Sequence, residues 1–187
     1  LFQDGRRMQQ LSTYEDLVFL PGSYWIAPDG KTLNIHPFDG KDPNGKFFEV
    51  AVQEHIIKPK SVGLGFIRIS GLKMEHCANG FLRCGVGALF TMGGNHWIIE
   101  KNRVRNVNSL GIEIGFEVLE LQDAKYFTRT DVNSGHTIVR NNLIFNCGTT
   151  GIRGLVNNNA LVENNEISDC GLWDAEYHWE VAGIKLL

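Results

Sequence analysis

Thr137-Ile-Val-Arg-Asn-Asn-Leu-Ile-Phe-Asn-Cys-Gly148 is restated shortly afterwards as Ala160-Leu-Val-Glu-Asn-Asn-Glu-Ile-Ser-Asp-Cys-Gly171. A looser version, Trp97-Ile-Ile-Glu-Lys-Asn-Arg-Val-Arg-Asn-Val107, precedes both. Ile67-Arg-Ile-Ser-Gly-Leu-Lys-Met-Glu-His-Cys77 repeats the pattern without the Asn. Aligned on the second Asn, the copies bring Leu72, Asn102, Asn142 and Asn165 into one slot, with spacings of 30, 40 and 23 residues. Self-similarity at such periods marks stacked supersecondary units, none of which can bury its apolar face alone.

Within each copy apolar residues alternate with polar ones. Ile69, Ile99, Val139 and Val162 stand three residues before the slot, and Met74, Val104, Ile144 and Ile167 two after it. A period of two is that of a half-buried strand. Ten residues after the slot come Leu82, Ile112 and Ile152, joined by Ile184 if the last unit carries nine extra residues. Several short strands per unit, each pairing with its copy in the next, predict an all-β chain: a right-handed parallel β-helix, a pectate-lyase-like solenoid. Asn at a bend tolerates the left-handed backbone conformation, and its amide can bond to the next Asn along the coil axis. A β-sandwich with unrelated Asn-Asn pairs would leave three matching columns as coincidence.

Composition sets the outer bounds. With 187 residues and 43% hydrophobic content, the chain is one domain or a domain plus a small extension. Its net charge of −3, from 18 basic and 21 acidic residues, argues against a nucleic-acid partner. No apolar run approaches the ~20 residues of a membrane span. No signal peptide is visible, but the chain opens on Leu1 rather than Met, which leaves the compartment open.

Cys77, Cys147 and Cys170 share the position five residues after the slot, where the second copy has Val107. A column shared with Val reads as small buried side chains, free thiols in preference to an inter-rung disulfide. No CxxC or His spacing accompanies them, so no metal is expected, and no cofactor. Gly85 and Gly87 make no dinucleotide fingerprint, since no helix pattern follows.

Residues 1–46 differ from the repeats and read as a small N-terminal β extension, with the rungs occupying 47–187. Tyr24-Trp-Ile-Ala27 and Thr32-Leu-Asn-Ile-His36 flank Pro28-Asp29-Gly30, a hairpin signal, and Tyr14–Val18 reads as one helical turn. Phe47–Val52 and His55–Ile57 read as the start of the first rung.

Two insertions interrupt the rungs, 117–134 and 172–180, and solenoid insertions often build a binding wall. The second holds Trp173, Asp174, Glu176, His178, Trp179 and Glu180. Tryptophans beside carboxylates suit sugar recognition: rings pack on pyranose C–H faces and carboxylates accept from hydroxyls. The plainer reading is a solvated acidic loop anchored by its tryptophans. Glu113, between Ile112 and Ile114, and Lys185, between Ile184 and Leu186, point outward, towards a groove or towards water. His96 and His136 read as turn residues ahead of rung strands.

Lys31-Thr-Leu-Asn-Ile-His-Pro-Phe-Asp-Gly-Lys-Asp-Pro-Asn44, Phe48-Glu-Val50, Ile69-Ser-Gly-Leu72, His136-Thr-Ile-Val-Arg-Asn-Asn142 and Glu180-Val-Ala-Gly-Ile-Lys-Leu186 follow one another in an order that resembles the β-xylosidases of glycoside hydrolase family 120. The resemblance covers nearly the whole chain. It implies a β-helix enzyme working with retention, whose Asp nucleophile and Glu acid/base stand ~5–5.5 Å apart. It places those two carboxylates on rungs after Ala182–Lys185, beyond Leu187, so no catalytic residue is assigned within this chain. The family's sugar-subsite Glu maps onto Glu180. Where the family has His before that Glu, Trp179 stands here, with His178 one residue earlier. The substrate-binding set is therefore Glu180, His178, Trp179, Lys185 and Glu113, and the expected partner is a carbohydrate.

Two function classes follow: the central segment of a glycoside hydrolase acting on xylosides or related plant-wall sugars, or a non-catalytic carbohydrate-binding or structural β-helix module. A calcium-dependent polysaccharide lyase would need clustered carboxylates and a basic proton acceptor on rung strands, where only Glu113, Arg153 and Lys185 stand. Ile184, Leu186 and Leu187 end the chain on an uncapped strand, which predicts self-association through that rung.

Overall fold

The computed structural model describes residues 1–81, 86–115, 134–172 and 181–187. The chain divides into two compact units, Leu1–Ala51 and Val52–Leu187.

The first unit holds β1 (Phe2–Gln3), β2 (Arg6–Arg7), β3 (Gln9–Leu11), a 3₁₀ turn at Glu15–Val18, β4 (Ser23–Ile26), β5 (Leu33–His36) and β6 (Phe48–Glu49). β1 lies between β2 and β6, antiparallel to both, and β4 lies between β3 and β5. The hairpin at Pro28-Asp29-Gly30 joins β4 to β5. Asp29 closes it: one carboxylate oxygen accepts the N–H groups of Lys31 and Thr32 at 2.9 and 3.0 Å, the other the Thr32 hydroxyl at 2.7 Å. These bonds, that of Lys31 first, hold the Asp29 carboxyl below its usual range. Phe48–Glu49 does not open the first rung as the sequence suggested. It pairs with Phe2–Gln3 and fills that strand's open edge.

The second unit holds β7 (Arg68–Ser70), β8 (Lys73–Cys77), β9 (Leu89–Phe90), β10 (Ile98–Glu100), β11 (Arg103–Val107), β12 (Ile112–Gly115), β13 (Ile138–Arg140), β14 (Leu143–Cys147), β15 (Thr150–Leu155), β16 (Leu161–Glu163), β17 (Glu166–Ser168) and β18 (Ala182–Leu186). They form three parallel sheets, ordered β7-β10-β13-β16, β8-β11-β14-β17 and β9-β12-β15-β18. Each turn of the chain adds one strand to each sheet, which is a parallel β-helix.

The columns read from sequence are register columns. Ile69, Ile99, Val139 and Val162 are neighbours across the first sheet, and Met74, Val104, Ile144 and Ile167 across the second. Ile112, Ile152 and Ile184 align in the third, so the nine-residue insertion before Ile184 holds. The partner of Ile112 on the first rung is Leu89, not Leu82, which lies outside the described residues. The first rung thus carries seven extra residues (89−82=7), and Ile57 extends the column by bridging Leu89. Ile99, Val104, Ile112, Val139, Ile144 and Ile152 are fully buried. Each such side chain contributes about 1.5–3 kcal/mol relative to exposure.

The corner before each slot turns through a left-handed residue: Gly71, Lys101, Asn141 and Asn164 have φ between 53° and 74°. Asn tolerates that region better than most residues, and at the first rung Gly takes it without strain. The following Asn then binds along the axis. Asn142 Oδ1 accepts from the main-chain N–H of Asn102 at 3.0 Å and from Asn102 Nδ2 at 3.1 Å, and Asn165 repeats both bonds to Asn142 at 3.0 and 2.9 Å. Leu72, lacking the amide, still donates its N–H to Asn102 Oδ1.

Cys77, Val107 and Cys147 are register neighbours, and Cys77, Cys147 and Cys170 are free thiols. Beyond Cys147 the interior ends in exposed aliphatics: Ile184 is 48% exposed and Leu186 50%, against 0% for Ile152.

Candidate functional site

The outer faces of the three sheets differ. On the first, Glu100 lies between Arg68 and Arg140, which donates from Nε at 2.7 Å, and the two guanidinium groups, Arg140 first, hold its carboxyl below the usual range. On the second, Glu75 meets Lys73 at 2.6 Å and Arg105; burial pushes its carboxyl up, and the bonds from Lys73 and Arg105 outweigh that and bring it below the usual range. Arg103 and Arg105 lie over the Phe145 ring. On these faces charges of opposite sign alternate in the Glu100–Arg140–Glu163 and Glu75–Arg105 columns, beside outward apolar residues such as Ile98, Ile138 and Leu143.

The third sheet is closed over. Every residue of β9, β12 and β15 is buried, outward-facing positions included. Phe90, Glu113, Arg153 and Lys185 are successive register neighbours on its outer face. Phe90 stacks with His55 at 6.1 Å between ring centroids, with Lys58 above it.

Glu113, read from sequence as outward and either groove-lining or solvated, is 1% exposed. One oxygen accepts the N–H groups of Val86 and Gly87, each at 2.8 Å, and the other accepts Arg153 Nη2 at 2.8 Å. Both oxygens are taken by protein donors, so Glu113 is an anchor for residues 86–87 and for Arg153. The extra length of the first rung brings the main chain there. Gly87 comes so near that a Cβ would lie 2.5 Å from Glu113 Cβ, so only glycine fits. Asn79, fully buried, holds the same segment by donating to the carbonyls of Val86 and Leu110 at 2.6 and 2.7 Å.

Burying a charged pair is costly unless its geometry and further hydrogen bonds compensate, as they do here for Glu113. Lys185, beside Arg153, is half-buried and is the one outward side chain of this described column that reaches solvent. Glu180, His178 and Trp179 lie outside the described residues, as do Trp173, Asp174 and Glu176. The structure therefore places Glu113 and Lys185 on one face, two strands apart, with Arg153 between them. The alignment held the signal for Arg153: Glu113 and Arg153 both stand eleven residues after the slot, and Lys185 does once the nine-residue insertion is allowed.

His96 and His136 occupy left-handed corners, with φ of 51° and 52°, and their rings stack at 4.8 Å on each other and, through His96, at 4.7 Å on Phe66. Among the described residues no three His, Cys, Asp or Glu side chains group as metal ligands, and no helix is long and apolar enough to cross a membrane.

The coil is similar to that of XylC, solved in complex with xylose. The two agree with a TM-score of 0.73 and 22% sequence identity, over 99% of this chain and 36% of that one. The chain thus spans about a third of that neighbour's length, and at this identity the likeness establishes the fold. The parallel β-helix expected from the repeats is the fold of XylC over the shared region. No family model and no curated protein matches the sequence.

Proposed function

We propose that this chain belongs to a carbohydrate-active β-helix protein whose sugar site lies on the outer face of the β9-β12-β15-β18 sheet, at its Lys185 end. The observation that carries the reading is the closure of that face over Glu113 and Arg153. A buried ion pair, with both Glu113 oxygens hydrogen-bonded, fixes the strands beside Lys185, as a precise binding surface requires. Both large insertions adjoin this sheet in sequence, one following β12 and the other preceding β18. Lys185 donates to sugar hydroxyls, and Glu180, His178 and Trp179 belong to the same substrate-binding set on the strength of the motif resemblance. Glu113 acts through Arg153 rather than by touching sugar.

The fold shared with a protein solved with xylose and the motif order resembling the family 120 β-xylosidases together support a xyloside as substrate. In that reading the chain is the central segment of a retaining glycoside hydrolase whose catalytic carboxylates lie on rungs beyond Leu187. The lyase alternative loses one of its two basic candidates, since Arg153 is 3% exposed and bonded to Glu113, and it keeps only Lys185. A non-catalytic sugar-binding module remains the second reading, favoured by the engagement of both Glu113 oxygens. The test is calorimetric titration with xylose alongside an aryl xyloside assay. Saturable binding lost in Lys185→Ala, with no aglycone released by the 187-residue chain, supports the reading. Equal binding by Lys185→Ala contradicts the site, and turnover by the chain contradicts the placement of the catalytic pair.

A further inference from the structure

The N-terminal unit carries a cleft of its own. β3 runs parallel to β4 and β4 antiparallel to β5, and the registers set Leu11, Trp25 and Asn34 side by side on one face. The chain then leaves β3 through Ser12 and Thr13 into the 3₁₀ turn. That turn is fixed independently of the cleft: Leu17 is buried, and its carbonyl meets His36 Nδ1 at 2.7 Å. Tyr14 at its head packs edge-on to Trp25, with ring centroids 5.3 Å apart and planes at 67°. Beside the packed rings lies a shallow, open cleft of about 600 Å³ lined by Ser12, Thr13, Tyr14, Glu15, Trp25 and Asn34.

Tyr14 is 50% exposed, and it is Leu17 that anchors the turn. Two aromatic rings therefore stand at an angle at the mouth of a cleft whose remaining lining is hydroxyl, amide and carboxylate. The rings make much of the lining apolar, but an apolar peptide or lipid would cover the Ser12 hydroxyl, the Glu15 carboxylate and the Asn34 amide without pairing them. A phosphate or a uronate would face Glu15 and the neighbouring Asp16, with no cation among the lining residues. A neutral saccharide matches both halves of the lining. Its C–H faces pack on the rings, and its hydroxyls meet the Asn34 amide, the Glu15 carboxylate and the Ser12 hydroxyl.

We infer that the Tyr14–Trp25 cleft is a saccharide-binding site for neutral sugars, built from residues of the N-terminal unit alone. The inference stands on this cleft's own lining and does not depend on the β-helix reading.

The test follows indole N–H resonances of the ¹⁵N-labelled chain during titration with xylotriose and with cellotriose. The chain has four tryptophans, and Trp25→Phe assigns the relevant signal. The expected result is a saturable shift of the Trp25 signal with either sugar, weakened at least about fivefold in Tyr14→Ala and unchanged in Lys185→Ala. Asn34→Ala gives the same weakening should Tyr14→Ala lose the dispersed spectrum of the fold. No saturable Trp25 shift with either sugar overturns the inference, as does a shift that survives both cleft variants at full strength. Loss of the shift in Lys185→Ala also overturns it, since the response would then belong to the β-helix face.

Discussion

Asn142 Nδ2 donates to Asn165 Oδ1 at 2.9 Å, while Asn142 Oδ1 receives two bonds from Asn102. Asn142 also donates to the carbonyl of Ile99 at 2.9 Å, so a single side chain ties three rungs together. Asn142→Ala strips a buried carbonyl and a buried N–H of their partners at once, and a buried unsatisfied group costs about 1–3 kcal/mol. We expect a loss of about 2–4 kcal/mol in urea titration. Asn165→Ala, on the half-exposed last rung, costs about 1 kcal/mol. Equal losses at the two positions would contradict an axial ladder.

Glu113 and Arg153 behave as a coupled pair. Arg153→Met takes the guanidinium away from the buried Glu113 carboxylate, and breaking a buried pair costs about 3–5 kcal/mol. Glu113→Gln keeps an oxygen for Val86 and Gly87 and drops the charge. The double variant Glu113→Gln/Arg153→Met is therefore more stable than Arg153→Met by at least about 1 kcal/mol. Additive losses would show that the two residues act independently.

Acid weakens the outer face of the first sheet through Glu100. Arg140 and Arg68 hold its folded carboxyl below the ordinary value of 4.5, so its contribution is present above that value and is lost as pH falls through the lowered one. Glu100→Gln lacks this component. The difference in melting temperature between the chain and the variant should hold from pH 7 to about pH 5 and shrink below about pH 4. A difference independent of pH would remove the charge from the account.

The thiols differ in reactivity. Burial raises Cys77 to about 11 from 9.0, which makes its thiolate about 100-fold scarcer at pH 8. In the Cys147–Cys170 contact, the Cys147 thiol donates; this raises Cys147 and lowers Cys170, which is also only half-buried. Iodoacetamide at pH 8 on the folded chain should label Cys170 well before Cys77 or Cys147, as read by peptide mass mapping. Labelling of Cys77 first would contradict the burial of that column.

The fold was legible because the interior is periodic. Three aliphatic columns and the Asn slot recur at fixed offsets, and register transmits each offset directly into contact. Leu82 misled because offsets do not reveal an insertion: Leu89 and Leu82 are equally apolar, and only pairing with Ile112 separates them. Glu113 misled for a related reason. Alternation marks its outward direction, but what covers that face comes from Val86 and Gly87, in a segment with no period. Phe48–Glu49 reads as a strand, and nothing local says that its partner is Phe2–Gln3. The column of Glu113, Arg153 and Lys185 was legible in the sequence, but the closed ion pair of Glu113 and Arg153 was not.

The most direct test of the sugar face is a crystal of the chain soaked in xylose. The account predicts a pyranose on the outer face of the β9-β12-β15-β18 sheet, with hydroxyls bonded to Lys185 Nζ and to the Glu180 carboxylate. Xylose absent from that face, or bound only at the Tyr14–Trp25 cleft, would contradict it.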